Sequence, residues 1–181
     1  MLKGDVVGLR AIERDDLPQL LEWRNRPEYR QYFREYRELN SENQSMWFEK
    51  TVLGDRNTIM FAIVELKTQR LLGACGLCYI DWVNRNADFS IYIGADNLYI
   101  DDVYAVDAAK MLMNYGFSEV GLHRIWAEIY DFDAPKQKLF SLLAFRLDGR
   151  HRQTHWYNNR WNDSLFYSKL STEHTTGLGE Q

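Results

Sequence analysis

The chain has 181 residues, of which 45% are hydrophobic and 14% aromatic, enough apolar material for one packed core. Its formal charge of -4 offers no basic surface to a phosphate backbone or an anionic membrane, so neither nucleic acid nor membrane is expected as a partner. The first residues lack the apolar core of a secretory signal, and no stretch approaches the roughly 20 apolar residues of a membrane span. We therefore expect a cytoplasmic protein.

The first part of the chain predicts one strand and two helices. Residues 6–12 alternate in hydrophobicity, as a strand does. An acidic run and a proline then introduce a helix over residues 17–25, which Pro27 ends because the residue before a proline avoids the helical region. Ser41 has the capping-box spacing and predicts the start of a second helix, which Gly54 ends.

The middle of the chain predicts an antiparallel meander followed by a crossover. Three strand patterns stand close together, at residues 58–66, 71–80 and 87–94. Apolar residues in helical order then predict a helix over residues 103–117, and HRIWAEIY at 123–130 predicts a returning strand. A strand, a helix and a strand of this length indicate a parallel pair beside the meander.

The last part of the chain predicts one more helix and a hairpin. Asp133 is the expected N-cap of the helix, with Pro135 in its first turn. The hairpin turns at Asn158 and Asn159 and ends with an apolar strand. Residues 1–170 thus form one domain, and the polar residues 171–181 are expected to be a flexible tail.

Cys75 and Cys78 form a Cys-x-x-Cys sequence, which is compatible with either a redox pair or two structural thiols. In a strand, an offset of three residues sends the two side chains to opposite faces. The strand pattern therefore favours two separate structural thiols. The four histidines have no metal-ligand spacing, and no metal is expected.

Four segments together resemble the GNAT acyltransferase superfamily, and with their spacing they cover nearly the whole chain to about residue 170. The segments are LRAIERDDLPQLLEWRNRPEYR, NSENQSMWFEKTV, ADFSIYIG and GFSEVGLHRIWAEIYDFD. The resemblance implies an α/β (α+β) fold with a mixed, mostly antiparallel sheet, one parallel strand pair and flanking helices. It also implies acetyl-CoA as the co-substrate and the primary amine of a small molecule as the acceptor.

The resemblance is strongest to the branch that holds ribosomal-protein N-terminal acetyltransferases and the N-acetyltransferases of nucleotide-linked amino sugars. Trp23, Arg24 and Asn25, followed by Pro27, favour the amino-sugar side and are candidate substrate-binding residues. An ordinary buried aromatic is the alternative interpretation of Trp23.

Members of the superfamily hold the cofactor's pyrophosphate on a glycine-rich loop at a helix N-terminus, where unpaired N–H donors and the helix dipole attract an anion. The corresponding window in this chain fits that pattern only at Ala105. The candidate residues of this window are Asp101, Asp102, Val103, Tyr104 and Ala105. Two carboxylates oppose a pyrophosphate, and they equally suit a plain N-terminal cap.

The resemblance implies further cofactor contacts. The backbone around Ile91, Tyr92 and Ile93 is expected to hold the pantetheine arm. Asp133 stands where relatives often have asparagine, and Phe140 stands where many have the tyrosine that protonates the leaving thiolate. Phenylalanine has no proton to donate, so Phe140 cannot protonate the leaving thiolate.

Acyl transfer to an amine still needs a base and a hydrogen-bond donor. Asp88 and Glu128 are the candidate bases, and a purely structural carboxylate is the alternative for each. Tyr130, Tyr92 or Tyr104 is expected to replace the missing tyrosine.

Two functional hypotheses follow from these residues. The first is an acetyl-CoA-dependent N-acyltransferase acting on a small amine such as an amino sugar. The second is a GNAT fold that has lost or altered its acetyl-CoA site, either a binding module or an acyltransferase with another donor. The aromatic hairpin HWYNNRW also suits a homodimer contact.

Overall fold

The computed structural model describes residues 1–174 of the protein. The strands are β1 (Leu2–Lys3), β2 (Val7–Ala11), β3 (Ile59–Glu65), β4 (Leu71–Asp81), β5 (Asn86–Ile93), β6 (Arg124–Tyr130), β7 (Arg146–Tyr157) and β8 (Arg160–Leu170). The helices are α1 (Leu17–Asn25), α2 (Pro27–Arg30), α3 (Ser41–Trp47), α4 (Tyr104–Asn114) and α5 (Ala134–Leu142). Wider helical turns extend α3 to Leu53 and α4 to Glu119.

The strands form one open sheet in the order β1-β2-β3-β4-β5-β6-β8-β7. Only β5 and β6 are parallel, and every other pair in the described residues is antiparallel. Helix α4 makes the crossover between the parallel strands, because two parallel neighbours cannot be joined by a tight turn. The predicted fold class and parallel pair are confirmed.

The main core lies between the sheet and α4. One face of α4 is fully buried because small and branched side chains recur at helical spacing. The buried residues of this face are Ala105, Ala108, Ala109, Leu112 and Met113. They pack against β2, β4 and β5. None of the helices in residues 1–174 is long and apolar enough to cross a membrane.

Two local predictions need correction. Asn40, not Ser41, caps α3: its side chain accepts a hydrogen bond from Asn43 N at 2.8 Å, and Asn43 Oδ1 accepts one from Asn40 N at 3.2 Å. The predicted tail begins too early, because Ser171–Glu173 form a helical turn in which Glu173 accepts a hydrogen bond from Leu170 N. The remainder of that tail, residues 175–181, lies outside the described part of the chain.

The hairpin of β7 and β8 turns where the sequence predicts. Asn158 and Asn159 both have positive φ, 51° and 58°, which is the conformation that a two-residue hairpin turn requires. Beside the turn, Trp156 and Trp161 are about half exposed, and their rings meet edge to face with centroids 5.2 Å apart. A homodimer contact through these rings stays a prediction.

Candidate active site

The site is opened by the divergence of β5 and β6. These strands pair only over Asn86, Ala87 and Asp88, which face Arg124, Ile125 and Trp126. Beyond Asp88 the strands separate and leave a gap in the sheet. Because side chains alternate along a strand, Asp88, Ser90 and Tyr92 share one face of β5, and Glu128 and Tyr130 share one face of β6. All five line the cavity at this gap.

A cavity of about 540 Å³ occupies the gap and extends beneath the loop between α2 and α3. Its charged lining consists of four cations and three carboxylates: Arg24, Arg34, Arg37, Lys136, Glu35, Asp88 and Glu128. Its aromatic lining consists of Tyr32, Phe33, Tyr36, Trp47, Tyr79, Phe89, Tyr92 and Tyr130. Aromatic walls around a few charged groups are typical of a small-molecule site.

Arg34 joins the two predicted bases. Its guanidinium lies 3.2 Å from an oxygen of Asp88 and 3.3 Å from an oxygen of Glu128. Glu128 also accepts a hydrogen bond of 2.6 Å from Ser164 Oγ. The structure therefore brings both candidate carboxylates into the same cavity.

Asp88 is the carboxylate of the cavity whose pKa is raised. Burial raises its pKa from 3.8 to about 6, and the positive charges of Arg34 and Lys136 only partly oppose this rise. Only 7% of the residue is exposed. A carboxylate with this pKa is ionised at neutral pH and still basic enough to accept a proton from a bound group.

Two of the three candidate tyrosines line the cavity. Burial raises the pKa of Tyr130 and of Tyr92, so both hydroxyls keep their protons and are available as donors. The Tyr130 ring stacks on His155 with centroids 3.7 Å apart. Tyr104 lies elsewhere, where its hydroxyl donates to Glu65 Oε1 at 3.1 Å.

The three residues predicted to bind substrate lie in different places in the structure, and only one of them lines the cavity. Arg24 lines the cavity, with its guanidinium 5.4 Å from the centroid of the Phe33 ring. Trp23 is 4% exposed and belongs to the core, which is the alternative interpretation of this residue. Asn25 bonds both backbone groups of Leu39 and so holds the end of the loop that covers the cavity.

The predicted pyrophosphate window lies at the N-terminus of α4, and Asp101 caps it. Its carboxylate accepts hydrogen bonds from the N–H groups of Val103, Tyr104 and Ala105, at 2.9, 2.8 and 2.8 Å. Asp102 points elsewhere and pairs with Lys138. The donors that bind an anion at a free helix end are thus already used by the chain itself.

Tyr99 fills the adjoining part of the gap. It is 5% exposed, its hydroxyl donates to Asp133 Oδ2 at 2.7 Å, and its ring stacks on Tyr32 with centroids 4.3 Å apart. Asp133 caps α5 as predicted, accepting a hydrogen bond of 3.1 Å from Lys136 N. Tyr99 therefore spans the gap from the end of β5 to the start of α5.

Three other predicted cofactor contacts have buried side chains. Ile91 and Ile93 are 1% and 0% exposed, so only their backbones face the gap. Phe140 is fully buried, and its ring packs against Phe145 with centroids 5.0 Å apart. Phe140 is a core residue in this structure, and its contact with the cofactor stays a prediction.

Both cysteines are free thiols. Cys75 is buried in the core, whereas Cys78 lines the cavity, with its sulfur 3.8 Å from Met60 Sδ. Burial raises the pKa of Cys78 to about 12, so it is not a nucleophile at neutral pH. The two thiols have separate surroundings, as predicted, but Cys78 is only partly buried.

Sequence reasoning missed Arg34, Lys136 and Tyr99. Arg34 belongs to the charge-rich run FREYRE, which has no helical or strand periodicity. Lys136 and Tyr99 follow a helix cap and a strand, where spacing does not indicate the direction of a side chain. The one available signal was the density of charged and aromatic residues between two helices, a composition that suits a loop over a binding site.

Comparison with known proteins agrees with this geometry. The family model of the acetyltransferase (GNAT) domain matches residues 7–146. The chain belongs to the GNAT acetyltransferase family. As a member of this family it is an N-acyltransferase, and GNAT acetyltransferases use acetyl-CoA.

Two curated relatives match this GNAT acetyltransferase over nearly its whole length. The uncharacterised N-acetyltransferase p20 of Bacillus licheniformis is 24% identical over 168 residues, which cover 92% of this chain and 93% of the relative. The spermidine N(1)-acetyltransferase of Escherichia coli K12 is 25% identical over 175 residues, which cover 94% of this chain and 91% of the relative.

A solved acetyltransferase structure has the same fold as this chain. The spermidine N-acetyltransferase of Vibrio cholerae, in complex with CoA and spermine, superposes with a TM-score of 0.83 at 21% identity. The match covers 92% of this chain and 96% of the other.

In the predicted pyrophosphate window, the residues present do not fit the diphosphate of acetyl-CoA. Asp101 takes the helix N–H groups that a diphosphate needs, and it adds a like charge. The part of the gap that contains Asp88, by contrast, is an open cavity with a carboxylate of raised pKa.

Proposed function

We propose that the protein acetylates the primary amine of a small molecule bound in the cavity, with Asp88 as the base. The observation that carries this proposal is the raised pKa of Asp88 at the point where β5 and β6 separate. The substrate enters as an ammonium ion, and one of its protons passes to the Asp88 carboxylate. The freed lone pair on nitrogen makes the substrate a nucleophile.

The neighbours of Asp88 support this role. Arg34 keeps the carboxylate directed into the cavity and connects it to Glu128. Glu128 is a second carboxylate that an ammonium group can contact. Tyr130, with its raised pKa, is the candidate hydrogen-bond donor on the opposite strand.

The charges of the cavity favour an amine that also carries an anionic group. Arg24 and Lys136 have no ion-pair partner among residues 1–174, although both line the cavity. Gln44 adds a side-chain nitrogen that is buried without a hydrogen-bond partner. Buried donors of this kind cost free energy until a ligand satisfies them. An amino sugar bearing phosphate provides the amine, the anion and faces for the aromatic walls.

A polyamine is the second candidate, because three carboxylates line the cavity and two relatives are spermidine acetyltransferases. Each of these carboxylates, however, already has an arginine partner: Glu35 with Arg37, and Asp88 and Glu128 with Arg34. A polyamine would add several positive charges to a cavity in which cations outnumber carboxylates. The charge balance therefore ranks a polyamine below an anionic amine.

The base is tested with the variant Asp88→Asn, assayed for amine acetylation at saturating acetyl-CoA. We expect kcat/KM to fall by about 100-fold or more, the usual contribution of a general base. Glu128→Gln is the matched control and is expected to lose less than about tenfold. A larger loss in Glu128→Gln than in Asp88→Asn would transfer the role to Glu128.

The substrate class is tested with glucosamine, glucosamine 6-phosphate and spermidine as acceptors. We expect the phosphorylated amine to have the highest kcat/KM. Arg24→Met should remove this preference and leave unphosphorylated glucosamine unchanged, because only the phosphate gains from the cation. Higher kcat/KM with spermidine than with both sugars would establish the second candidate instead.

A further inference from the structure

The segment 96–102 is attached to the protein on both sides of the gap. At its start, Asp96 forms a two-bonded ion pair with Arg70, at 3.0 and 2.7 Å. In its middle, Tyr99 is buried and bonded to Asp133. At its end, Asp101 accepts three N–H groups of α4. These contacts hold the segment, which begins within the short helical turn Ala95–Asn97 and ends before α4, in one defined position.

The backbone of the segment 96–102 is strained. Asp96, Asn97 and Tyr99 have φ values of 55°, 57° and 53°, in the left-handed region that residues other than glycine rarely adopt. Tyrosine lacks the short polar side chain that eases this conformation for aspartate and asparagine. Strain of this kind persists only where surrounding contacts enforce it.

The same segment forms a backbone hydrogen bond with the edge of β5 that faces the gap. Gly94 N donates to Leu72 O at 2.8 Å, on the β4 side of the strand. Backbone groups alternate in direction, so the N–H of the preceding Ile93 points toward β6. It donates to Tyr99 O at 2.7 Å. The chain thus pairs with the free edge of β5 where an extended ligand would pair with it.

We propose that the segment 96–102 is an intramolecular competitor of the acyl donor. This inference rests on the proposed function, because it assumes that the gap between β5 and β6 receives a CoA thioester. Tyr99 occupies the gap beside β5, and Asp101 occupies the helix donors with a negative charge. Binding of CoA therefore requires the segment to leave both positions, and part of the binding free energy is consumed in displacing it.

The test compares CoA affinity, by isothermal titration calorimetry, between Asp101→Ala and the matched control Asp102→Ala. Both remove one carboxylate, but only Asp101 bonds the N–H groups of α4. We expect Asp101→Ala to bind CoA about tenfold or more tightly than the wild type, and Asp102→Ala to stay within about threefold. Asp101→Asn, which keeps a helix cap, provides the comparison if the alanine variant does not fold.

A second variant tests the other contact. Tyr99→Phe removes the hydrogen bond to Asp133 and keeps the ring, and we expect CoA to bind this variant more tightly than the wild type. Equal CoA affinity in wild type, Asp101→Ala and Tyr99→Phe would overturn the proposal, as would weaker binding by both variants. If all three proteins bound CoA equally and still acetylated amines, only the competitor proposal would fail, and the proposed function would stand. If Asp101→Ala bound CoA more tightly but no amine were acetylated, the competitor proposal would stand and the proposed function would fail.

Discussion

The two ends of the gap between β5 and β6 are filled differently. At the α3 side the gap is a cavity with seven charged side chains, and a ligand can reach it. At the α4 side the gap is filled by Tyr99, which is 5% exposed, and by the Asp101 cap. The same divergence of the two strands underlies both ends of the gap, but the adjoining loops differ. The charged loop between α2 and α3 leaves its end open, whereas the buried ring of Tyr99 closes the other end.

The polar residues of the two ends also differ in whether they are paired with one another. Charged groups in the open part line the cavity, and two of its cations have no ion-pair partner in the described part of the chain. In the closed part the polar groups satisfy each other, as Tyr99 does with Asp133. Variants at the closed end should therefore change stability and CoA binding, whereas variants at the open end should change activity and the way activity and stability depend on pH.

The largest expected effect is on stability at the closed end. Tyr99→Ala removes a buried ring, and we expect the free energy of unfolding to fall by about 3–5 kcal/mol. Tyr36→Ala is the matched control, because Tyr36 lines the open cavity and is 84% exposed. It should change the unfolding free energy by less than about 0.5 kcal/mol. Urea unfolding measures both, and equal losses would contradict the division of the gap.

The second effect belongs to the open end and depends on pH. The pKa of Asp88 in the folded protein is raised to about 6 from 3.8, so the folded state binds this proton more tightly than the unfolded state. Its contribution to stability is therefore present at low pH and is lost as the pH rises through about 4 to 6. Fully expressed, a shift of this size corresponds to about 3 kcal/mol.

Urea unfolding of wild type and Asp88→Asn at several pH values tests this effect. Asparagine does not titrate, so the variant should gain stability relative to wild type as the pH rises from about 4 to 7. Asp102→Asn makes the same substitution at an exposed position that pairs with Lys138. A difference between Asp88→Asn and wild type that does not change with pH would show that burial of Asp88 does not raise its pKa.

The third effect tests the junction between the two ends. A Cβ at Gly94 would lie 1.9 Å from Cδ2 of Trp23, so Gly94→Ala must displace the indole or the start of the segment 96–102. We expect a loss of about 1–3 kcal/mol in unfolding free energy. Gly149→Ala is the control, because its Cβ would meet no atom within 4 Å. Similar thermal unfolding temperatures for the two variants would contradict this close packing.

The fold was predictable because its signals are local. Helical spacing in α4, the Asp133 cap and the two asparagines of the hairpin turn each specify backbone structure within a few residues. The resemblance in GLHRIWAEIY added the order of the elements. The ends of helices were harder to predict than the helices themselves. At the start of α3, for example, two adjacent polar residues, Asn40 and Ser41, are both suitable N-caps.

The site was only partly predictable because its decisive contacts are long-range. Asp88 and Glu128 were found because both lie on strands, where position determines the face. Arg34 and Tyr99 lie in loops, whose paths depend on tertiary packing. The acidic window predicted an altered N-terminus of α4, but only the structure showed that Asp101 caps this helix end while Asp102 pairs with Lys138.

The smallest expected effect concerns Arg34, and it tests whether the open end works as one electrostatic unit. The positive charge of Arg34 lowers the pKa of Asp88 against the effect of burial. Arg34→Met should therefore raise this pKa further and move the acidic limb of kcat/KM toward higher pH. Less of the base is then ionised near neutral pH, and we expect activity there to fall by about two- to fivefold. Arg37→Met is the control, because Arg37 lines the same cavity but pairs with Glu35. Equal shifts of the limb in both variants would mean that the cavity's overall charge, not the contact of Arg34 with Asp88, determines the pKa of the base.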